Sequence, residues 1–243
     1  MRTPTHDEFS GNLDPLTGDH SNVFGPELGE FDGRDQRANL DVAEAMKTGT
    51  TTVGLKVADG VVMATDMRAS LGNMVSSKDV QKVEEIHPTG ALTIAGSVSA
   101  AQSLIRSLRA EVRLYEARRG EDMSMTALST LLSNFLRSGA FFIVVPILGG
   151  VDAEGSHIYS VDALGGMTEE DYTVSGSGSQ FALGVLEQDY HDELSIEEAR
   201  NVCAHAVKSA VERDTASGNG INLAVVTDEG VEIDRHKDIE DVL

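Results

Sequence analysis

Apolar and polar positions alternate from Thr50 to Val57, with Val53, Leu55 and Val57 on one side and Thr52, Gly54 and Lys56 on the other. After Asp59-Gly60 the chain resumes an apolar course from Val61 to Asp66. A period of two interrupted by a turn dipeptide predicts a β-hairpin. Met67 to Ser76 and Val80 to Ile86 predict a second, less regular pair, and Ala91 to Ala95 a short buried strand ending at Gly96. The period then lengthens. Ala101, Leu104, Ile105, Leu108, Val112 and Tyr115 share one side of a helix, and Met125, Leu128, Leu132 and Phe135 share one side of the next. Phe141 to Val151 and His157 to Val161 return to strand, Ser175-Gly176-Ser177-Gly178-Ser179 is a turn, and a helix runs on from it to about Tyr190. Ser195 and Glu198 form a capping box ahead of a long helix with the inner stripe Ile196, Ala199, Val202, Cys203, Ala206, Val207, Ala210 and Val211, which stops near Asp214 to Gly220. Ile221 to Thr227, a turn at Asp228-Glu229-Gly230, and Val231 to Asp234 close the pattern. Strands, two helices, strands, two helices, strands is the order of an α+β, four-layer αββα sandwich: two antiparallel sheets flanked by helix pairs.

Residues 1–49 differ in character from the rest of the chain. They hold three of the five prolines, six glycines and ten acidic residues against four basic ones, and they lack sustained apolar periodicity. Such a segment reads as disordered or loosely held, with Leu40 to Met46 as its one short helix.

Composition narrows the function. At 243 residues and 40% hydrophobic the chain can bury a sizeable core. No segment approaches the roughly 18 to 20 consecutive apolar residues that span a bilayer, and the N-terminus has no basic start followed by an apolar stretch. A cytoplasmic protein without a membrane role is expected. The single cysteine, Cys203, excludes internal disulfides and falls on a helix stripe as a packing residue. A formal charge of -21, from 40 acidic and 19 basic residues, would repel nucleic acid. The acidic residues are spread along the chain, as in a protein kept hydrated in high salt, which points to a salt-loving microbe.

The chemistry begins at Gly49-Thr50-Thr51-Thr52-Val53-Gly54. A cut between Gly49 and Thr50 would give Thr50 a free amine beside its hydroxyl, a nucleophile and its base in one residue. Residues 1–49 would then be a lock removed on maturation. Read alone, the threonine run is a strand start rich in a β-former. Asp66, at the end of the second strand, and Lys82, in the next pair, change that reading. A lysine lowers the hydroxyl's pKa, and in a partly buried site it needs a carboxylate partner.

At this point the residues resemble a family: the archaeal proteasome β subunits, within the N-terminal nucleophile hydrolases. The resemblance covers essentially residues 49–235. It rests on Thr50-Thr51-Thr52-Val53-Gly54, Ala64-Thr65-Asp66-Met67-Arg68, Lys82, Thr93-Ile94-Ala95-Gly96, Leu131-Leu132-Ser133-Asn134, Gly176-Ser177-Gly178-Ser179 and Arg213-Asp214-Thr215-Ala216-Ser217-Gly218, all in order. It implies the N-terminal nucleophile hydrolase fold, with Thr50 as nucleophile, Lys82 tuning its proton, Asp66 holding Lys82, and Ser177, Asp214 and Ser217 around the new amine. Gly96 matches the backbone donor to the oxyanion, and Ala69, Val80, Ile94 and Val98 match the wall of the specificity pocket. Small to medium apolar walls imply cleavage after hydrophobic residues, with Glu84 also near enough to reach the pocket. Ser70 stands where a threonine is usual, and the leader is longer and more acidic than in many archaeal relatives.

The resemblance further implies a threonine-type endopeptidase without a cofactor, made as a precursor with residues 1–49 as propeptide and 50–243 as catalytic domain. Its setting would be homo- or hetero-heptameric β rings stacked between α-subunit rings, α7β7β7α7, fed with unfolded protein substrates by an AAA ATPase. Two other readings stand beside it. One is the bacterial two-ring threonine protease of the same hydrolase group; the other is a non-catalytic structural ring subunit, which would lack Thr50, Lys82 or Asp66. Gly176-Ser177-Gly178 lacks the third glycine of a dinucleotide loop, no phosphate-loop lysine follows a glycine cluster, and the seven histidines show no metal spacing.

Overall fold

A computed structural model describes residues 49–141 and 143–243. The short helix expected at Leu40 to Met46 lies outside them. Strands β1 (Thr51–Val57) and β2 (Gly60–Asp66) form the predicted hairpin, in register from Thr52 opposite Thr65 to Val57 opposite Gly60. Strand β2 is buried along its whole length, so its alternating side chains serve two cores. Val61 and Met63 face one cluster with Ile147, Ile158, Ala224 and Val226. Val62 and Ala64 face another with Val202, Cys203, Ala206 and Ala210. This doubly covered strand is why the apolar run has no polar alternation.

Met67 to Ser76 and Val80 to Ile86 do not pair with each other. Strands β3 (Ala69–Leu71) and β4 (Met74–Ser77) close on themselves as a separate hairpin. Strand β5 (Val83–His87) pairs instead with β6 (Gly90–Thr93). Gly72, at a φ of 58°, makes the tight turn in the first hairpin that the pattern of apolar residues did not reveal.

Helices α1 (Val98–Arg119) and α2 (Met125–Arg137) follow, each capped by a serine, Ser97 and Ser124. Their stripes pack on the second sheet around Leu92, Leu148 and Tyr159. Strand β7 (Ile147–Asp152) begins only after Pro146, so the expected strand at Phe141 to Val151 is short at its front; Val144 makes an isolated bridge to Gly96 instead. It pairs with β8 (Gly155–Val161). Two further strands, β9 (Met167–Glu170) and β10 (Tyr172–Gly176), are ones the sequence pattern does not predict, and β10 takes Ser175 and Gly176 from the expected turn, which pair with Thr52 and Thr51. Helices α3 (Ser179–Asp189) and α4 (Ile196–Val211) come next, both halves of the Ser195–Glu198 capping box being present, and then β11 (Ile221–Thr227) and β12 (Gly230–His236).

The first sheet has the order β10-β1-β2-β11-β12 and the second β5-β6-β7-β8-β9. Helices α3 and α4 cover the first sheet, α1 and α2 cover the second, and a third core lies between the sheets. The result is the expected α+β sandwich of four layers. Cys203 is buried against the first sheet, where burial pushes its thiol far above the ordinary range. No helix among the described residues is long and apolar enough to cross a membrane.

Candidate active site

Five chain segments meet at one edge of the sandwich. Pairing of β1 with β2 and of β2 with β11 brings Thr51, Asp66 and Ile221 to the same end of the first sheet, Ile221 directly opposite Asp66. Pairing of β1 with β10 sets Thr51 opposite Gly176, so the turn after β10 arrives beside Thr50. The loop between α4 and β11 supplies Asp214 and Ser217. Lys82 comes from the second sheet, just before β5, where its carbonyl accepts from the Ile94 amide at 2.7 Å.

Lys82 is 1% exposed, the bulkiest of the fully buried side chains among the described residues. Its Nζ donates to Thr50 Oγ1 at 3.0 Å and to Asp66 Oδ1 at 2.8 Å. Isolating two such charges from water costs several kcal/mol per ion unless every lone pair and proton is matched. Here Asp66 is fully matched: Oδ1 also accepts from the Thr51 amide at 3.0 Å, and Oδ2 accepts from the Arg68 and Gly218 amides at 3.0 and 2.9 Å. Burial pushes the Lys82 pKa below its ordinary value, with the Asp66 charge and hydrogen bond pulling the other way. Arg68 also clamps the loop from Thr215 to Asn219, donating to the Thr215 carbonyl and to Asn219 Oδ1, both at 2.9 Å.

Around the backbone nitrogen of Thr50 the arrangement is hydroxylic. That N–H donates to Ser177 Oγ at 3.2 Å. Ser177 and Ser217 each donate to Asp214 Oδ2, at 2.5 and 2.6 Å. Thr50 Oγ1 itself donates to the Gly49 carbonyl at 2.7 Å, so the hydroxyl lies against the peptide group that joins it to the preceding segment. Gly49 has no room for a side chain, because a Cβ there would stand 1.7 Å from the Ala216 Cβ.

A small pocket opens next to Thr50, lined by Gly49, Ala69, Ser70, Lys82, Ile94, Gly96 and Val98. Gly96 holds a φ of 108°, and a Cβ there would meet the Ile143 carbonyl oxygen at 1.9 Å. Of the pocket residues named from the sequence, Ala69, Ile94 and Val98 are on its wall and Val80 is not. The backbone of Val80 is used otherwise: its amide donates to the Met67 carbonyl at 3.0 Å and its carbonyl accepts from Asn222 Nδ2 at 3.1 Å, tying down the approach to Lys82. Glu84 is also absent from the wall and is held by Arg109 of α1 at 3.0 Å. Ser70, on the wall, donates to the Ala216 carbonyl at 3.0 Å.

The structure therefore brings together Thr50, Lys82, Asp66, Ser177, Asp214, Ser217, Gly49 and Gly96. Sequence reasoning gave no role to Thr51, Arg68 or Gly218, although all three stand in the stretches that carried the resemblance. Their contacts run through backbone amides or across non-local pairings, which leave no local mark.

A threonine at the open end of two stacked antiparallel sheets, backed by a buried lysine and carboxylate, defines the class: an α+β fold of the N-terminal nucleophile hydrolase type. Comparison with known proteins specifies it further. The family model for proteasome subunits matches residues 46–226. The proteasome subunit beta of Haloferax volcanii is 74% identical over 99% of both chains. Those of Haloquadratum walsbyi and Halorubrum lacusprofundi are 72% and 70% identical over the full length of both chains. The chain belongs to the proteasome subunit family, among the β subunits of halophilic archaea.

Proposed function

We propose that this chain is the precursor of a catalytic proteasome β subunit, a threonine-type endopeptidase in which residues 1–49 are a propeptide and 50–243 the catalytic domain. The observation that carries the reading is the placement of Thr50 Oγ1, 3.0 Å from Lys82 Nζ and 2.7 Å from the carbonyl oxygen of Gly49. One hydroxyl thus touches both a candidate proton acceptor and the bond to be cut.

In the precursor the Thr50 nitrogen is an amide and cannot act as a base. Lys82, in its neutral form, takes the Oγ1 proton as the oxygen bonds to the Gly49 carbonyl carbon. The carbon–nitrogen bond then breaks, the nitrogen takes a proton, and an ester joins Gly49 to Oγ1. Water cleaves the ester, releasing the propeptide as a carboxylic acid and leaving Thr50 with a free amine. That amine inherits the contact with Ser177 and becomes the base for later turnovers, while the lysine charge favours ionisation of the hydroxyl. Substrate repeats the sequence: attack on a peptide carbonyl, departure of the amine product, and hydrolysis of the acyl-enzyme by water. The Gly96 amide is the proposed donor to the oxyanion. The apolar wall of Ala69, Ile94 and Val98 favours cleavage after hydrophobic residues.

The relatives' name, proteasome subunit beta, supports a place in a multi-subunit core with α subunits; β rings stacked between α-subunit rings as α7β7β7α7, in the cytoplasm, are the setting proposed for it. An AAA ATPase acting on unfolded proteins completes the proposed system. A Thr50→Ala variant is expected to assemble yet hydrolyse no hydrophobic peptide; retained hydrolysis would move the site elsewhere.

A further inference from the structure

Thr51 follows the nucleophile, is fully buried, and its Oγ1 lies 2.7 Å from Ser217 Oγ. The direction of that hydrogen bond follows from counting protons. A carboxylate only accepts, so the single hydroxyl proton of Ser217 is committed to Asp214 Oδ2 at 2.6 Å. Thr51 must then be the donor to Ser217. The Ser177 hydroxyl has two places to send its proton: Asp214 Oδ2 at 2.5 Å, or the Thr50 carbonyl at 3.4 Å. The shorter bond to the carboxylate leaves a Ser177 lone pair facing the Thr50 nitrogen at 3.2 Å. The other oxygen of Asp214 accepts from the Ala216 amide at 3.2 Å, so the carboxylate is held from both ends.

An independent observation concerns Gly178. Its backbone, at φ -86° and ψ 3°, is one that any residue adopts. Yet a Cβ at this position would stand 2.0 Å from Thr51 Oγ1. Glycine is needed here for space, which the Thr51 hydroxyl fills from one side while the Ala210 Cβ stands 2.9 Å from the same point.

We infer that Thr51 is a positioning residue: its hydroxyl donates to Ser217 and holds Ser217 on Asp214, the carboxylate that takes the Ser177 proton and so leaves Ser177 to accept from the Thr50 nitrogen. Once freed, a neutral amine that donates one hydrogen to Ser177 turns its lone pair toward the Thr50 hydroxyl, the orientation a base requires. The inference rests on Thr50 as the nucleophile and deepens that reading.

The test compares full-length Thr51→Val, Thr51→Ser and Gly178→Ala chains in the assembled complex, measuring the rate of cleavage after Gly49 and peptide kcat and KM per Thr50 N-terminus. Valine keeps the shape of threonine and removes the hydroxyl. Thr51→Val is expected to slow self-cleavage and lower kcat on the order of tenfold with KM unchanged, because misorientation acts on the reacting groups and leaves the substrate pocket intact. Thr51→Ser should restore both rates to within about twofold, and Gly178→Ala, which crowds the same hydroxyl, should slow self-cleavage and lower kcat in the same direction as valine. Wild-type rates in Thr51→Val would overturn the inference. So would failure of Thr51→Ser to rescue, since the methyl group and not the hydroxyl would then matter. Should Thr51→Val block self-cleavage entirely, rescue of that step by serine decides in the same way. An inactive Thr50→Ala beside a fully active Thr51→Val would leave the nucleophile in place and remove only the role of Thr51, whereas an active Thr50→Ala would remove both.

Discussion

Lys82 Nζ lies 3.0 Å from Thr50 Oγ1, although the two residues lead into strands of different sheets, Thr50 into β1 and Lys82 into β5. The contact depends on the packing of one sheet against the other, and Asp66 holds the lysine in it at 2.8 Å. Lys82→Ala should therefore stop both self-cleavage and peptide turnover. Lys82→Arg should fail as well, because a guanidinium keeps its proton at any working pH. Gel separation of precursor from processed chain checks the first step, and normal self-cleavage in Lys82→Ala would show that the lysine is not needed to activate Thr50.

Burial holds the Lys82 ammonium below its ordinary value of 10.5, against the pull of Asp66. Self-cleavage needs the neutral amine, so its rate should rise with pH through that lowered value and level off below 10.5. The same shift carries a stability effect. Between the folded and unfolded values the unfolded chain binds more protons, so the contribution of Lys82 is full above 10.5 and is lost as pH falls through the folded value. Single-turnover cleavage after Gly49, followed across neutral to alkaline pH, tests this; a rate that falls as pH rises would contradict it.

Gly49 is pressed against Ala216, with 1.7 Å between a built Cβ and that of Ala216. Gly49→Ala should push the Gly49 carbonyl away from Thr50 Oγ1 and slow self-cleavage on the order of a hundredfold, since small misplacements of reacting groups are this costly. The fraction of chains beginning at Thr50, followed over time by mass spectrometry, measures it. Processing at the wild-type rate would mean that Ala216 yields and that glycine is not required here.

The formal charge of -21, of which residues 50–243 keep -15 with 15 basic against 30 acidic residues, repels itself in dilute buffer and is screened in concentrated salt. Assembly and peptide hydrolysis should both decline as salt is withdrawn. Rings that stay assembled and active in dilute buffer would contradict a salt-adapted surface.

Much of this fold was legible because its signals are local. The Asp59-Gly60 dipeptide and the Ser195–Glu198 box each announce an element within a few residues; the box formed as expected, and the hairpin formed with its turn one residue earlier, at Ala58-Asp59, Gly60 already pairing with Val57. Strand β9 was missed because all four of its residues are exposed, so no apolar alternation marks it. Strand β10 alternates only over Tyr172 to Gly176, and its meaning lies in pairing with β1 across the whole chain. That pairing delivers Ser177 to Thr50, which no spacing in the sequence encodes. Val80 was placed on the pocket wall by the resemblance, yet the pocket beside Thr50 is lined by Ala69, Ile94 and Val98 without it. Thr51 looked like one more β-former in a threonine run, and its contacts with Ser217, Asp66 and Gly178, all distant in the chain, distinguish it.

In the proposed mechanism Thr50 becomes the first residue of the working enzyme, and every later step depends on its free amine. Intact-mass measurement of the β chain in purified, peptide-hydrolysing assemblies tests this most directly. A chain that begins at Thr50, lacking residues 1–49, is the expected result. Active assemblies whose chains still begin at Met1 would contradict it.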